Sequence, residues 1–363
     1  MALAVRHLTA LLSHSISYIA LNPVLTGSLL WVLTQGPVSL RARLLSRFQL
    51  LRDPLRQAQI IRTLKWLIAI GLTKNINTQL NKLALNSWRL KSEKARWQWD
   101  KEIAVVTGGC SGIGALVVKR LVRKGVRVAV LDIQQLPSSI QGYANVKFFA
   151  CDITDPSAVY STADRIRATL GAPSILINNA GIAGAHSILD TDDEWLKKIY
   201  GVNLLSNYYT VKAFLPSMIT ANKGHIVTVA STASFIGVGL MVDYCSTKAG
   251  VLSFHEGLNQ ELKHRYNAPS ILTTSIHPNW VRTPLIKPFE KAIKAAGSPI
   301  LETEDVADAI VAQIERCEGA QIFLPNSAAR ISWLRAIPNW VQESARGGVS
   351  KQLESCTPKG IVR

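Results

Sequence analysis

Apolar and polar positions change rhythm twice along this chain. Residues 8–40 contain no Lys, Arg, Asp or Glu. The most apolar stretch, residues 16–33, is long enough to cross the hydrocarbon core of a bilayer. Pro23 predicts a kink in a helix placed there, and Asn22 interrupts its apolar character. Three readings follow: a transmembrane helix, a re-entrant hairpin in one leaflet, or a cleaved signal peptide. The third is the weakest, because only Arg6 and His7 precede the run and no small-x-small site follows it. Residues 59–90 then mix Ile60, Ile61, Leu64, Trp66, Leu67, Ile68 and Ile70 with Lys and Arg. The apolar run 66–72 is too short to span. It reads as a basic amphipathic helix lying in a membrane interface, or as an ordinary helix packed on a folded domain. Trp88, Trp97 and Trp99 close the region, either at headgroup level or packed on that domain.

At Glu102 the rhythm becomes strand–helix alternation. Short apolar runs occur at 103–107, 126–132, 146–152, 174–178, 226–230, 272–277 and 321–324, with helical stretches between them. Strands apolar on both faces and separated by helices predict an α/β domain: a doubly wound parallel sheet of about seven strands. The expected organisation is a membrane-associated helical extension over 1–100, a catalytic domain over 101–330 and an amphipathic tail over 331–363. In that tail, Trp333, Leu334, Ile337, Trp340 and Val341 form either a second membrane-contacting patch or a cap on the core.

Charge sharpens the division. The chain carries a net +17, and residues 1–100 hold 14 Lys and Arg against three acids. A basic segment attracts nucleic acid or anionic membrane, and the apolar content beside it favours membrane and no nucleic acid. The five cysteines are scattered without a CxxC or Cys/His cluster, which predicts reduced thiols facing the cytosol and no metal site.

Residues 103–114 read as a strand, a glycine-rich turn and a helix start. Gly108 allows the tight turn, Gly112 lets backbone approach a pyrophosphate, and Gly114 lets the helix pack on the strand. Phosphates then meet helix N-terminal N–H groups. Asp132 ends the next strand, where a carboxylate can accept hydrogen bonds from ribose hydroxyls and repel a 2′-phosphate. Ile133, Cys110 and Ser111 add no positive charge, so NAD(H) is favoured over NADP(H). Asp152 and the run Asn178, Asn179, Ala180, Gly181 also fall at carboxyl ends of strands, the ligand-binding edge of such a sheet.

Tyr244 and Lys248 stand four apart in a helical stretch, on one face. An ammonium beside a phenol lowers its pKa and fits it for proton transfer. Ser231, thirteen residues before Tyr244 at a strand end, can hold a substrate oxygen. Asn203, in an otherwise apolar helix, makes either a local helix-bending bond or a functional one.

These residues resemble the short-chain dehydrogenases/reductases over about 100–325. Thr107, Gly108, Gly112, Ile113 and Gly114, then Asn178 to Gly181, Asn203, Ser231, Tyr244 and Lys248 occur in that family's order and spacing. The resemblance implies a Rossmann-type fold and a catalytic tetrad of Asn203, Ser231, Tyr244 and Lys248. Tyr244 would be the acid/base, and Ser231 would steady the substrate oxygen. Lys248 would also bond the nicotinamide ribose, and Asn203 would support a proton-relay water. Thr107, Gly108, Ser111, Gly112, Ile113, Gly114, Asp132, Asp152 and Asn179 would line the cofactor. Val281 and Thr283 would contact its carboxamide. Where the family has Pro-Gly this chain has Pro278 and Asn279; Asn tolerates the left-handed turn expected there. Residues 284–300 would form the substrate lid, and His255, His264 and His277 have no role.

The apolar N-terminus and the 254–258 stretch resemble the membrane-bound retinol and 17β-hydroxysteroid dehydrogenase branch. That implies lipophilic alcohols or ketones (steroid, retinoid, fatty alcohol or polyketide-like) taken from the endoplasmic reticulum or a lipid droplet. The catalytic domain would face the cytosol, with a homodimer as a candidate assembly. The competing readings are a catalytically idle nucleotide-binding scaffold and a sugar-nucleotide epimerase or dehydratase.

Overall fold

The computed structural model describes residues 19–48, 53–295 and 297–354. The chain forms two compact units, one up to Ala84 and one from Leu85 onward.

The first unit holds α1 (Pro23–Thr34), α2 (Val38–Arg47) and α3 (Pro54–Leu85). Pro23 starts α1 rather than kinking it. The Asn22 side chain accepts hydrogen bonds from the N–H groups of Val24 and Leu25 at 3.0 and 3.3 Å. Pro23 therefore occupies the first helical position, where an N–H has no partner to lose. The helix has 12 residues, about 18 Å at 1.5 Å per residue, well short of a bilayer core. Among the described residues no helix is long and apolar enough to cross a membrane. Residues 16–18 of the candidate span lie outside the described residues. Leu33 and Leu64 are the buried centre of this unit, with Leu30, Leu44, Leu45 and Ile60 against them. The 59–90 stretch is mostly α3, a continuous helix of 32 residues. Its apolar residues are spread around and along it rather than gathered into one stripe; Trp66, Ile70, Leu72, Ile76 and Leu80 are exposed.

The second unit begins earlier than residue 101. Asn86 exchanges two hydrogen bonds with the Gly319 backbone, at 2.7 and 3.0 Å. Arg96 donates to the Asn222 carbonyl at 2.9 Å. Trp97 is buried and stacks on Trp99 with ring centroids 5.8 Å apart, so both indoles belong to this core, not to a headgroup layer. Trp88 is exposed.

There follow β1 (Ile103–Thr107), α4 (Gly112–Arg123), β2 (Arg127–Asp132), β3 (Val146–Ala150), α5 (Pro156–Leu170) and β4 (Ile175–Asn178). Next come α6 (Asp193–Tyr200), a π-helical turn (Gly201–Leu205), α7 (Ser206–Ala221), β5 (Gly224–Val229), α8 (Val242–His264) and β6 (Ile271–Pro278). The chain continues through α9 (Glu290–Ala295), α10 (Thr303–Arg316), β7 (Ala320–Leu324) and α11 (Asn339–Glu354). Seven parallel strands lie in the order β3-β2-β1-β4-β5-β6-β7. Alternation along β1 divides the core: Ala104 and Val106 pack with Val117, Leu121 and Ile310, while Val105 packs with Val159, Ile166 and Phe214. Helices thus cover both faces, as the apolar strands require. The order reverses between β1 and β4, and the crevice at their carboxyl ends is the usual ligand position in such sheets.

The tail caps the core. Leu334 and Leu353 are buried against Ile236, Val238, Met241 and Cys245. Trp333 and Trp340 on the same segment remain exposed.

Candidate active site

A cleft of about 810 Å³ runs across the carboxyl edge of the sheet. One wall is the turn from β1 into α4. Gly108 and Gly112 have φ of +63° and +50°, a conformation that side chains rarely adopt. At Gly114 a Cβ would sit 2.1 Å from the Gly108 carbonyl oxygen, so α4 reaches the turn only because that residue is glycine. At Gly112 a Cβ would project to 3.5 Å from the Thr283 methyl, into the gap between the turn and the loop after β6. The free N–H groups opening α4 face the same crevice, which Ser111, Gly112 and Ile113 line. Such a cradle fits a pyrophosphate.

Asp132 is buried at the end of β2, its two carboxylate oxygens each accepting one backbone N–H, from Cys110 and Gln134, at 2.9 Å. It lines the cleft, as does Asp152, which binds the Thr154 N–H and hydroxyl at 2.9 and 2.7 Å. Thr107 stands behind the wall. Its hydroxyl accepts the N–H groups of Asn179 and Ala180 at 3.1 and 3.2 Å. The Asn179 side chain in turn donates to the carbonyls of Thr107 and Gly108. This lattice clamps β1 to β4 at the switch point and holds the glycine turn in place. Val281 and Thr283 close the opposite wall. Asn279 does not adopt a left-handed conformation: it is absent from the non-glycine residues with positive φ, and its N–H bonds the Leu324 carbonyl at 2.8 Å. The Pro-Gly departure thus costs this turn nothing.

Tyr244 and Lys248 project from α8 into the cleft, with the Lys248 nitrogen 5.7 Å from the centre of the Tyr244 ring. Lys248 is buried and donates to the Val229 carbonyl at 2.9 Å. Ser231 follows β5; its hydroxyl accepts the Ala233 N–H at 3.1 Å and faces the Tyr244 hydroxyl. Three of the four residues of the expected tetrad meet in the cleft. The fourth, Asn203, sits behind it in the π-helical turn. Its amide takes the Ile182 N–H at 2.8 Å, and gives to the Ile182 carbonyl at 2.9 Å and to the Thr247 hydroxyl at 3.2 Å. The bonds of the Asn203 side chain are long-range rather than local to its helix: they tie the loop after β4 to α8 where the helix widens into the π turn.

The electrostatics correct one expectation. Burial pushes the Tyr244 phenol up to about 12, only partly offset by the Ser231 hydroxyl, and pushes Lys248 down to about 8. Desolvation disfavours each charge by itself, and it outweighs the lowering expected from the neighbouring ammonium. In this form the pair rests with Tyr244 protonated.

The far half of the cleft was not foreseen in full. Leu285, Ile286 and Ile293 of the expected lid line it. So do Ile236, Val238 and Met241, together with Trp280, Ile331, Val349 and Leu353. The C-terminal contributors lie a hundred residues from Tyr244, and no local spacing marks them. His255 and His277 are buried and hydrogen-bonded, to the Thr228 hydroxyl at 3.3 Å and the Ser231 carbonyl at 3.1 Å; His264 is exposed. Among the described residues no cluster of His, Cys, Asp or Glu is arranged to hold a metal ion.

The short chain dehydrogenase family model matches residues 102–294. Dehydrogenase RED2 of Cochliobolus heterostrophus is 41% identical over 210 residues, covering 58% of this chain and 78% of the relative. Human estradiol 17-beta-dehydrogenase 11 is 34% identical over 242 residues, covering 65% and 79%. Among solved structures, the ligand-free aldohexose dehydrogenase of Thermoplasma acidophilum superposes with a TM-score of 0.52 at 25% identity, covering 61% of this chain and 92% of that one. With a glycine cradle at the switch point and the match spanning over half its length, this chain belongs to the short-chain dehydrogenase family and is an NAD(P)-dependent oxidoreductase acting on CH–OH groups.

Proposed function

We propose that the chain interconverts a lipophilic secondary or primary alcohol with its ketone or aldehyde, using NAD(H) in preference to NADP(H), at a membrane or lipid-droplet surface. The observation that carries this reading is the substrate end of the cleft. Ile236, Val238, Met241, Trp280, Ile331, Val349 and Leu353 make its walls largely apolar; besides Asp132, Asp152 and Lys248, the charged side chain lining the cleft among the described residues is Lys198. A hydrophilic substrate would leave its hydroxyls unpaired against these walls. The name of the human relative, an estradiol dehydrogenase, accords with such a substrate.

In this reading Ser231 and Tyr244 hold the substrate oxygen between their hydroxyls. The nicotinamide ring, when bound, accepts or donates the hydride. Tyr244 gives the proton to the carbonyl oxygen in reduction and takes it from the alcohol in oxidation. Lys248 would bond the nicotinamide ribose, and Val281 and Thr283 would contact the carboxamide. Asn203 holds the loop that carries Ile182 along the cleft. Asp132 pairs with ribose hydroxyls, and no cation beside it welcomes a 2′-phosphate. The exposed Val24, Leu25, Trp31 and Trp66 of the first unit support attachment to the cytosolic face of the endoplasmic reticulum or a lipid droplet.

The test is detergent-solubilised full chain assayed by NADH and NADPH fluorescence against steroids, retinoids, fatty alcohols, polyketide-like ketones and sugars. NADH-linked turnover of a lipophilic member is expected. Turnover with NADPH alone overturns the cofactor preference, and a sugar as the best substrate overturns the substrate class. Carbonate extraction is expected to leave the chain in membranes; recovery in the soluble fraction overturns the attachment.

A further inference from the structure

One short segment forms the wall of the cleft and the surface outside it. Residues 326–336 form a 3-10 helix and lead through Pro338 into α11. Inward, Ile331 and Val349 line the cleft while Leu334 is buried. Outward, Trp333 and Trp340 are 73% and 77% exposed. Soluble surfaces carry single exposed apolar residues freely, but two indoles seven positions apart on a cleft wall are a different matter.

Two further features stand beside them. No Asp or Glu occurs between Glu318 and Glu343, while Arg330 and Arg335 flank Trp333 and are exposed. A second exposed apolar pair, Ile188 and Leu189, lies on the loop whose His186 N–H bonds the Leu240 carbonyl at 2.9 Å; the exposed Asp190, Asp192, Asp193 and Glu194 follow it, so the cationic part of this surface is the C-terminal segment alone. The neighbouring Gly239 N–H bonds the Ser350 hydroxyl of α11 at 3.0 Å, so this loop and the C-terminal segment share one rim.

We infer that this rim docks on an anionic phospholipid surface. Trp333 and Trp340 enter the headgroup–acyl boundary, and the two arginines pair with lipid phosphates. Indoles favour that boundary because the ring is apolar and the N–H stays wet. Guanidinium groups bind phosphate through paired N–H donors. The surface belongs to the catalytic unit and sits on the wall of the substrate end. Docking there sets the cleft opening against the lipid, and the substrate crosses no water. This inference rests on the lipophilic-substrate reading only for its purpose; the contact itself is measured independently.

The experiment compares full chain with its Trp333→Phe/Trp340→Phe variant, each reconstituted in vesicles of phosphatidylcholine and phosphatidylserine, with and without brominated acyl chains. Subtracting the variant's emission isolates the two indoles from the other tryptophans. Bromine is expected to lower that difference, because interfacial burial brings the indoles against the brominated chains. An unquenched difference overturns the inference. A difference that shifts with protein concentration but not with bromine assigns the rim to a second copy and overturns it too. A second arm measures kinetics on a vesicle-dissolved long-chain secondary alcohol. The Trp333→Ser/Trp340→Ser variant is expected to raise KM about fivefold with kcat unchanged. Quenching without turnover of any alcohol overturns the proposed activity and supports the surface; turnover without quenching does the reverse.

Discussion

Tyr244 and Lys248 share one turn of α8, and burial acts on both against their charged forms. A phenol near 12 stays protonated at neutral pH, so its proton-donor form is present throughout while the phenolate base is scarce. Carbonyl reduction is therefore expected to be level from pH 6 to about 8, while alcohol oxidation climbs with pH across the same range. Initial rates in both directions over that range check it; an oxidation rate that falls with pH contradicts it. Asn203 carries a different prediction. Asn203→Ala leaves the Ile182 N–H and carbonyl without their partner, while the Thr247 hydroxyl keeps its bond to the Tyr244 carbonyl, at a cost of about 2 kcal/mol in urea unfolding. A variant of wild-type stability would show that these bonds do not hold the loop. The residue types at the site were legible in the sequence because their spacing is local: Tyr244 with Lys248 across one helical turn, Gly108 to Gly114 across one β–α turn. Their ionisation was not, because it depends on burial that spacing does not encode.

Polar groups inside β5, β6 and α8 give these elements their own pH dependence. His225 is fully buried, with its Nε2 2.8 Å from the Thr274 hydroxyl, and His255 and His277 lie close by. Desolvation is the main cause that lowers them to about 3, 4 and 4. A histidine with a depressed folded pKa contributes stability fully present above its unfolded value near 6.5, lost as pH falls toward the folded one. Each unit in that window costs about 1.4 kcal/mol per histidine. The urea midpoint is therefore expected to fall steeply between pH 6.5 and 4.5; a flat profile would place these rings in contact with solvent. At this scale the strands were legible, because both faces of each are apolar. Pro23 was not: a proline that kinks a helix and one that starts it look alike until the Asn22 cap is placed. The π-helical turn at 201–205 was only hinted at, by Gly201 and by Asn203 as a polar residue in an otherwise apolar helix.

The molecule divides its tasks between two units, and the boundary follows side-chain contacts rather than charge. The basic excess runs to Arg96, yet Asn86, Arg96 and Trp97 are bound to the catalytic unit. The same limit applies to the tail, whose Ile331, Val349 and Leu353 complete the substrate end of a cleft begun at Gly108. The half of the cleft at the glycine turn was legible in the sequence because a few consecutive residues build it; much of the other half was not, because it is assembled from segments far apart in the chain. The central claim is that Tyr244 transfers the proton. It is tested most directly by Tyr244→Phe in the full chain, with alcohol turnover followed by NADH fluorescence and cofactor binding measured on the same preparation. Turnover is expected to fall about a thousandfold with NADH affinity unchanged. Undiminished turnover on every accepted substrate would contradict the account.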